Sequence, residues 1–461
     1  MKDKNILVVG LGVSGTACIR GLNKLGAHIY VYDESPREKC FDKLQELKEI
    51  EASYFFKNDG NDEIDKIDFS IIDLAIKSPG IKYEAPIIRT LAEKNIRVIS
   101  DIEAAYKVTD AAIVSITGTN GKTTTTTLIG EIVKESKKNC KITGNIGSGM
   151  FYDAVNSDKD DVIVAEVSSF QLAGTIDYKP HIAVITNITP DHMDFHHTYE
   201  NYIDAKFRNV ANQDEDDYAI LNYEDKIVMG FIDKIKSKKI FFSSERILDE
   251  GIYVYDEKIM YSRDGKKEFI INANDIFIPG KHNLENAMCA VGAALSLGIS
   301  TQTIANVLKN FKGVEHRLEF CAEFNGVKFY NDSKGTNPDA SIKAIQGIEK
   351  PIILIAGGYD KDSSYDEFIK SFDGKVKSLI LLGQTADKIE ACARSYGFTD
   401  ICRVKNMDEA VKECFERSVE GDNVVLSPAC ASWGMYPNYE VRGRDFKERV
   451  NYYGGNSTKA K

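Results

Sequence analysis

Ile113-Val114-Ser115-Ile116-Thr117-Gly118-Thr119-Asn120-Gly121-Lys122-Thr123-Thr124 joins the pattern of a buried strand to the start of a helix. Ile113, Val114 and Ile116 form a short β-branched run, and Leu128, Ile129 and Ile132 recur on one helical face. Between them, glycines let the backbone approach an anion closely, and the first helical N–H groups point at it. Lys122 offers a mobile cation to β- and γ-phosphates, and the Thr123 hydroxyl suits a Mg2+ site. The fit to the phosphate-loop pattern G-x-x-x-x-G-K-[ST] is incomplete, because Ile116 stands where the first glycine belongs and the glycine arrives at Gly118. A Gly- and Thr-rich turn that happens to hold a lysine is the plain alternative. Strand, turn, Gly-Lys-Thr and helix in the right order favour ATP on Gly118, Thr119, Asn120, Gly121, Lys122, Thr123 and Thr124.

A chain of 461 residues suggests about two to four domains. Its 43% hydrophobic and 28% charged content is that of an ordinary globular protein. The net charge of −11 argues against a general nucleic-acid binder, while leaving room for local anion sites. Nine scattered cysteines without a C-x-x-C pair fit a reducing cytosol, with no disulfide framework and no zinc knuckle. No stretch resembles a signal peptide or a membrane span, so a cytoplasmic location is expected.

Upstream, NILVVGLGVSG reads as a strand, then Gly10-x-Gly12-x-x-Gly15 and a helix, and HIYVYD ends in Asp33. That is the dinucleotide fingerprint, acidic residue included, and taken alone it says NAD. A nicotinamide-dependent oxidoreductase is therefore the competing reading, and a turn that binds no cofactor is the third. Lys77-Ser78-Pro79-Gly80-Ile81 falls at a strand's C-terminal end, where Ser78 is either a ligand contact or turn chemistry. A domain boundary is expected near residues 100–110.

Downstream of the phosphate loop lies a second glycine-rich loop, Thr143 to Gly149, and DVIVAEVSSFQL then places Glu166 at a strand end as a second Mg2+ anchor or a solvated carboxylate. Asp191-His192-Met193-Asp194-Phe195-His196-His197 carries three of the seven histidines. It reads as a transition-metal site, as a loop with one useful histidine, or, for His196 and His197, as solvated polar surface. His192 is singled out, because Asp191 and Asp194 could polarise it. Thr198 is a possible N-cap, and Lys206 shares a helical face with Tyr202, by default as surface charge. Residues 215–275 read as strand-rich and irregular. Asn283 and Asn286 share a helix face, either offering amides to a nucleotide or, for Asn283, capping the helix.

In the last third, a hairpin turns at Asn325-Gly326 and runs into Asp332-Ser333-Lys334-Gly335-Thr336-Asn337-Pro338, with Asn337 as N-cap and Pro338 as first helical residue. PIILIAGG, KSLILLG and NVVLSPAC follow as strands with helical segments between, a third α/β unit. Arg317, Lys334 and Lys361, each an ordinary surface charge singly, together suggest a site for anions.

The motifs TGTNGKTTT, TGNIG, EVSSFQL, TNITPDHMD, YIDAKFR, GKHNLENA, HRLE, NDSKGTNPDA and SPACAS, in that order, resemble the Mur ligases, ATP-dependent amide-forming ligases of peptidoglycan precursor synthesis. GLGVSG, KSPGI and SPACAS resemble the branch that adds D-glutamate to UDP-N-acetylmuramoyl-L-alanine. The resemblance implies an α/β fold of three domains in series. These are a Rossmann-like UDP-sugar domain over 1–105, a central ATP-binding P-loop domain over 106–310, and a Rossmann-like amino-acid domain over 311–461. It implies ATP contacts from Asn286, Arg317, Asp332 and Lys334 beside the phosphate loop. It implies UDP-sugar contacts from Ser14, Asp33, Ser78 and Asn145, and D-glutamate contacts from Thr336, Lys361, Ser432 and Tyr439. Two Mg2+ sites are implied, one on Thr123 and Glu166, the other on Glu166, His192 and a carbamylated Lys206. Lys122, His192 and Lys206 are the implied catalytic residues, and a monomer is expected. Gly434 stands where the resemblance expects Asp, Tyr439 where it expects Phe, and Pro437 is unusual.

Overall fold

The structure is a computed structural model that describes residues 1–58, 61–278, 280–360 and 363–457. Its described strands form three sheets, of six, nine and six strands. The chain divides into two compact units, Met1–Ile276 with Lys281–Phe311, and Phe277–Gly280 with Lys312–Lys461. Among the described residues, no helix is long and apolar enough to cross a membrane.

In the first sheet, Asn5–Val9 lies between His28–Asp33 and Leu74–Lys77, all parallel. The chain steps outward on one side of Asn5–Val9 and then returns to the other. That reversal opens a crevice at the C-terminal strand ends, where Gly10 and Ser78 sit. The helix Val13–Lys24 follows, with Gly12 at its N-cap and no side chain capping it. Gly21 lets this helix press against the helix Met150–Val155, since a Cβ there would lie 2.6 Å from a Phe151 ring carbon.

The second sheet repeats the logic. Ala112–Thr117 lies between Ile182–Ile185 and Val162–Glu166, again parallel. Covered on both faces, it can be almost continuously buried, which is why its sequence runs apolar instead of alternating. The pairing sets Glu166 level with both Ile116 and Gly144, and Thr117 level with Ile185. The phosphate loop, the glycine loop after Gly144, Glu166 and the segment after Ile185 therefore emerge side by side. The strand-rich region 215–275 extends this sheet from Tyr218–Asn222 and ends in the antiparallel strands Gly251–Tyr255, Lys258–Arg263 and Lys266–Asn272.

The third sheet begins with the hairpin Glu319–Phe324 and Val327–Asn331, whose turn residues Asn325 and Gly326 both have positive φ, as a tight hairpin requires. Asn423–Leu426 inserts between Val327–Asn331 and Ile352–Ala356. Its Leu426 pairs with Asn331 on one side and Ile355 on the other. The loops after residues 331, 356 and 426 thus share one strand edge.

Candidate active site

The loop Gly118–Gly121 has two glycines at φ +142° and +85°, and Gly121 caps the helix Lys122–Glu135 in a left-handed conformation. A Cβ on Gly118 would strike the Thr186 hydroxyl, and one on Gly121 the Asn286 amide oxygen. The loop is held open by the segment after Ile185. Asn187 accepts the Asn120 N–H at 3.0 Å, and Thr186 Oγ1 donates to the Asn120 carbonyl at 2.6 Å. The Thr119 hydroxyl meets Tyr202 OH at 2.9 Å and the Thr189 carbonyl at 3.0 Å. Lys122 folds back on the loop, donating to the carbonyls of Gly118 and Thr119 at 3.0 and 2.9 Å. Thr123 is buried in the first helical turn.

Glu166 is buried at 2% exposure, not solvated. Asn145 Nδ2 donates to its Oε1 at 2.9 Å, while its Oε2 is buried without a hydrogen-bond partner. An unpartnered carboxylate oxygen inside a protein is expensive unless a cation completes it. The residues therefore fit a divalent ion, with oxygen donors of the hard kind Mg2+ prefers.

Lys206 is equally buried, at 1%, so its default reading as surface charge fails. Its Nζ donates to the Gly118 carbonyl at 2.6 Å and lies 4.7 Å from the Tyr202 ring centroid. Burial, and then the neighbouring Lys122 charge, hold its ammonium well below the usual lysine range. His192 takes a left-handed backbone, φ +56°, with its ring 4.8 Å from that of Phe170 and its Nε2 3.5 Å from Asp191 Oδ2. The three histidines part company. His196 is buried, bonds Ser169 Oγ at 2.9 Å and stacks on Phe170, whereas His197 is exposed and meets Glu84 at 3.3 Å. Among the described residues, the loop side chains do not converge as a transition-metal cage would. Among the described residues, three metal-capable groups gather only at Glu315, His316 and Glu319, where the Lys447 ammonium already bridges the two carboxylates at 2.7 and 2.8 Å.

Asn283 lies inside the helix Lys281–Ser296 and is not its cap. It accepts from Asn286 Nδ2 at 3.2 Å, and Asn286 Oδ1 receives the Thr125 hydroxyl at 3.3 Å, beside the phosphate loop.

At the first crevice, Asp33 serves the glycine loop itself. Its carboxylate accepts the Leu11 N–H at 2.6 Å and the Ser35 N–H at 2.7 Å. Ser78 Oγ donates to the Gly10 carbonyl at 3.0 Å, and Ser14 stands beside the buried Asp101. Asp101, raised chiefly by burial, also accepts from Gln171 Nε2 at 3.0 Å. Beneath lies Lys77, whose ammonium donates to the Ser78 and Ile81 carbonyls at 3.1 and 2.6 Å and is pushed down to about 8 by burial.

In the second unit, Asp332 accepts Ser427 Oγ at 2.6 Å and the Leu318 N–H at 3.2 Å. Burial raises its carboxyl to about 7 against the pull of Ser427, Arg317 and others. Lys334 Nζ lies 5.7 Å from the Tyr439 ring centroid. Thr336 is half-buried and Ser432 buried on the same strand edge, and Lys361 lies outside the described residues. Sequence reasoning missed Arg442. This buried guanidinium donates to Ser333 Oγ and O at 3.0 and 2.9 Å and to the Cys430 carbonyl at 3.1 Å, clamping two of the loops. It also missed Lys77, Asp101 and Gln171. Lys77 and Gln171 stand inside the quoted runs KSPGI and EVSSFQL, but their roles, like those of Asp101 and Arg442, come from burial that only the fold creates.

Three family descriptions match the chain: "Mur ligase MurD-like, N-terminal domain" over 4–100, "Mur ligase middle domain" over 116–294 and "Mur ligase, glutamate ligase domain" over 316–430. The UDP-N-acetylmuramoylalanine--D-glutamate ligase of Thermoanaerobacter sp. (strain X514) is 49% identical over 452 residues, 98% of each chain. The protein of that name from Clostridioides difficile (strain 630) is 45% identical, covering 98% of this chain and 99% of its own. Among solved structures, the UDP-N-acetylmuramate-alanine ligase of Thermotoga maritima matches at TM-score 0.61 and 18% identity, over 97% of this chain and 99% of that one, a likeness of fold. The MurF ligase of Thermotoga maritima in complex with ADP matches at TM-score 0.56 and 15% identity, over 92% and 96%.

Proposed function

The chain belongs to the Mur ligase family, and from that premise we propose that it joins D-glutamate to UDP-N-acetylmuramoyl-L-alanine at the expense of ATP. The observation that carries the reading is the buried, unpartnered Oε2 of Glu166, level with the strand end that feeds the phosphate loop. The relatives' name favours this amide synthesis over the oxidoreductase reading of Gly10 to Asp33. In this reading residues 1–105 hold the UDP-sugar, 106–310 the ATP and 311–461 the amino acid, in a cytoplasmic monomer.

A carboxylate is a poor acyl donor and must be activated. The terminal carboxylate of the muramyl-alanine attacks the γ-phosphorus in line, and the bond to the ADP oxygen breaks, leaving an acyl phosphate. The D-glutamate amine then attacks the acyl carbon, and the C–O bond to phosphate breaks as the amine loses its proton. Thr123 and Glu166 would hold one Mg2+, and Glu166, His192 and a carbamylated Lys206 a second, which would supply charge neutralisation. The chain's own work is positioning and electrostatics. Lys122 leaves the loop carbonyls for the β- and γ-phosphates. The helix Lys122–Glu135 presents its free N–H groups to them. Burial favours the neutral amine of Lys206, the form that adds CO2 and releases a proton. His192 would take the amine proton, a role for which ligation of Mg2+ competes. Asn286, Arg317, Asp332 and Lys334 serve the nucleotide. Ser14, Asp33, Ser78 and Asn145 serve the UDP-sugar, and Thr336, Lys361, Ser432 and Tyr439 serve D-glutamate.

The test is ADP release with each substrate omitted in turn, together with the mass of the product. Release should need both the UDP-muramyl-alanine and D-glutamate, with the amide product in equal amount. ADP release without amide formation would overturn the reading.

A further inference from the structure

The loops after Ile352–Ala356 and Asn423–Leu426 are laced together. Tyr359 N–H donates to the Ala431 carbonyl at 2.9 Å, and Gly357 N–H to the Pro428 carbonyl at 2.8 Å. A Cβ on Gly358 would strike the Ala431 carbonyl, so the two backbones meet directly. One residue past the buried Ser432, the Trp433 indole packs edge to face on Tyr359 with ring centroids 5.6 Å apart. Gly434, at φ +82°, turns the chain immediately after it. Both rings remain open to solvent, Trp433 at 54% and Tyr359 at 40%. Other large apolar side chains exposed in this segment stand elsewhere. Tyr396 ends a helix, Tyr452 lies on one, and Val419 precedes the strand Asn423–Leu426. Among the described residues, Trp433 and Tyr359 are the exposed aromatics of the Lys312–Lys461 segment that follow a strand's C-terminal end, the edge at which α/β sheets bind ligands.

D-glutamate has charged groups that need polar partners and a methylene chain that does not. An exposed indole braced by a phenol removes such a chain from water without competing for its charges. We propose that Trp433, backed by Tyr359, is the apolar wall of the amino-acid pocket and sets which amino acid is accepted. The proposal rests on the assignment of Thr336, Ser432 and Tyr439 to D-glutamate made above.

Trp433 is the single tryptophan of the chain, so fluorescence excited beyond the tyrosine absorption band reports on it alone. With UDP-N-acetylmuramoyl-L-alanine and a non-hydrolysable ATP analogue present, D-glutamate should shift the emission and L-glutamate should not. W433A should raise the KM for D-glutamate about tenfold and leave that for ATP unchanged, while W433F stays within about threefold of wild type. Wild-type turnover with silent fluorescence, or W433A with an unchanged KM for D-glutamate, overturns the wall while leaving the ligase reading intact. A wild-type enzyme that makes no D-glutamyl amide overturns both.

Discussion

Lys122 and Lys206 lie on the same loop, both donating to the Gly118 carbonyl, yet their surroundings ask opposite things of them. In the proposed reaction Lys122 acts as a cation. Replacing it with Ala should lower kcat/KM by ~2–4 kcal/mol, the loss typical of one electrostatic donor to the transition state; steady-state kinetics of the purified variant measure it. In the same proposal Lys206 gives up its charge to become a carbamate. Carbon-13 NMR under labelled CO2 should show a carbamate signal that K206R lacks, with activity falling roughly 10²–10³-fold. Asp332 carries a pH signature. Its folded carboxyl titrates near 7, above the ordinary 3.8, so the folded state holds more protons than the unfolded between those values. This group's contribution is therefore full below about pH 4 and is lost as pH rises toward 7. Asp332→Asn should flatten that part of the Tm-against-pH curve. The strand, glycine loop and helix around Gly118 to Thr124 were legible because the turn constrains residue type in a local run. The burial of Lys206 was not, because it depends on Tyr202 and on a loop 88 residues away.

At the scale of elements, local rules predicted local structure. Thr198 caps its helix through the Asn201 N–H, and Asn337 does so through Ala340 N–H with Pro338 next. Thr198→Ala should lose about 1 kcal/mol in a denaturation midpoint. Gly121→Ala is the sharper test of the phosphate loop. The new Cβ would meet the Asn286 amide at a left-handed φ, so ATP binding should weaken at least tenfold with the fold intact by circular dichroism. Asn283 was misread as a possible cap because Asn before an apolar helix is the usual signal, whereas the helix starts two residues earlier, at Lys281. The expected boundary near 100–110 overlaps the helix Asp101–Tyr106, capped by Ser100 and buried through Ile102, Ala104 and Ala105.

For the whole molecule, three successive α/β blocks could be read from strand and turn patterns, and three sheets are found. Strand order could not. The insertion of Asn423–Leu426 between Val327–Asn331 and Ile352–Ala356 is a non-local pairing that leaves no mark on either sequence. It is this insertion that sets Asp332, Ser427 and Ser432 on a common edge. The central claim concerns chemistry: the muramyl-alanine carboxylate becomes an acyl phosphate before the amide forms. Oxygen-18 in that carboxylate tests it directly. Inorganic phosphate should carry one labelled oxygen for each amide made, seen by phosphorus NMR. Phosphate free of label, with the amide still formed, would contradict it.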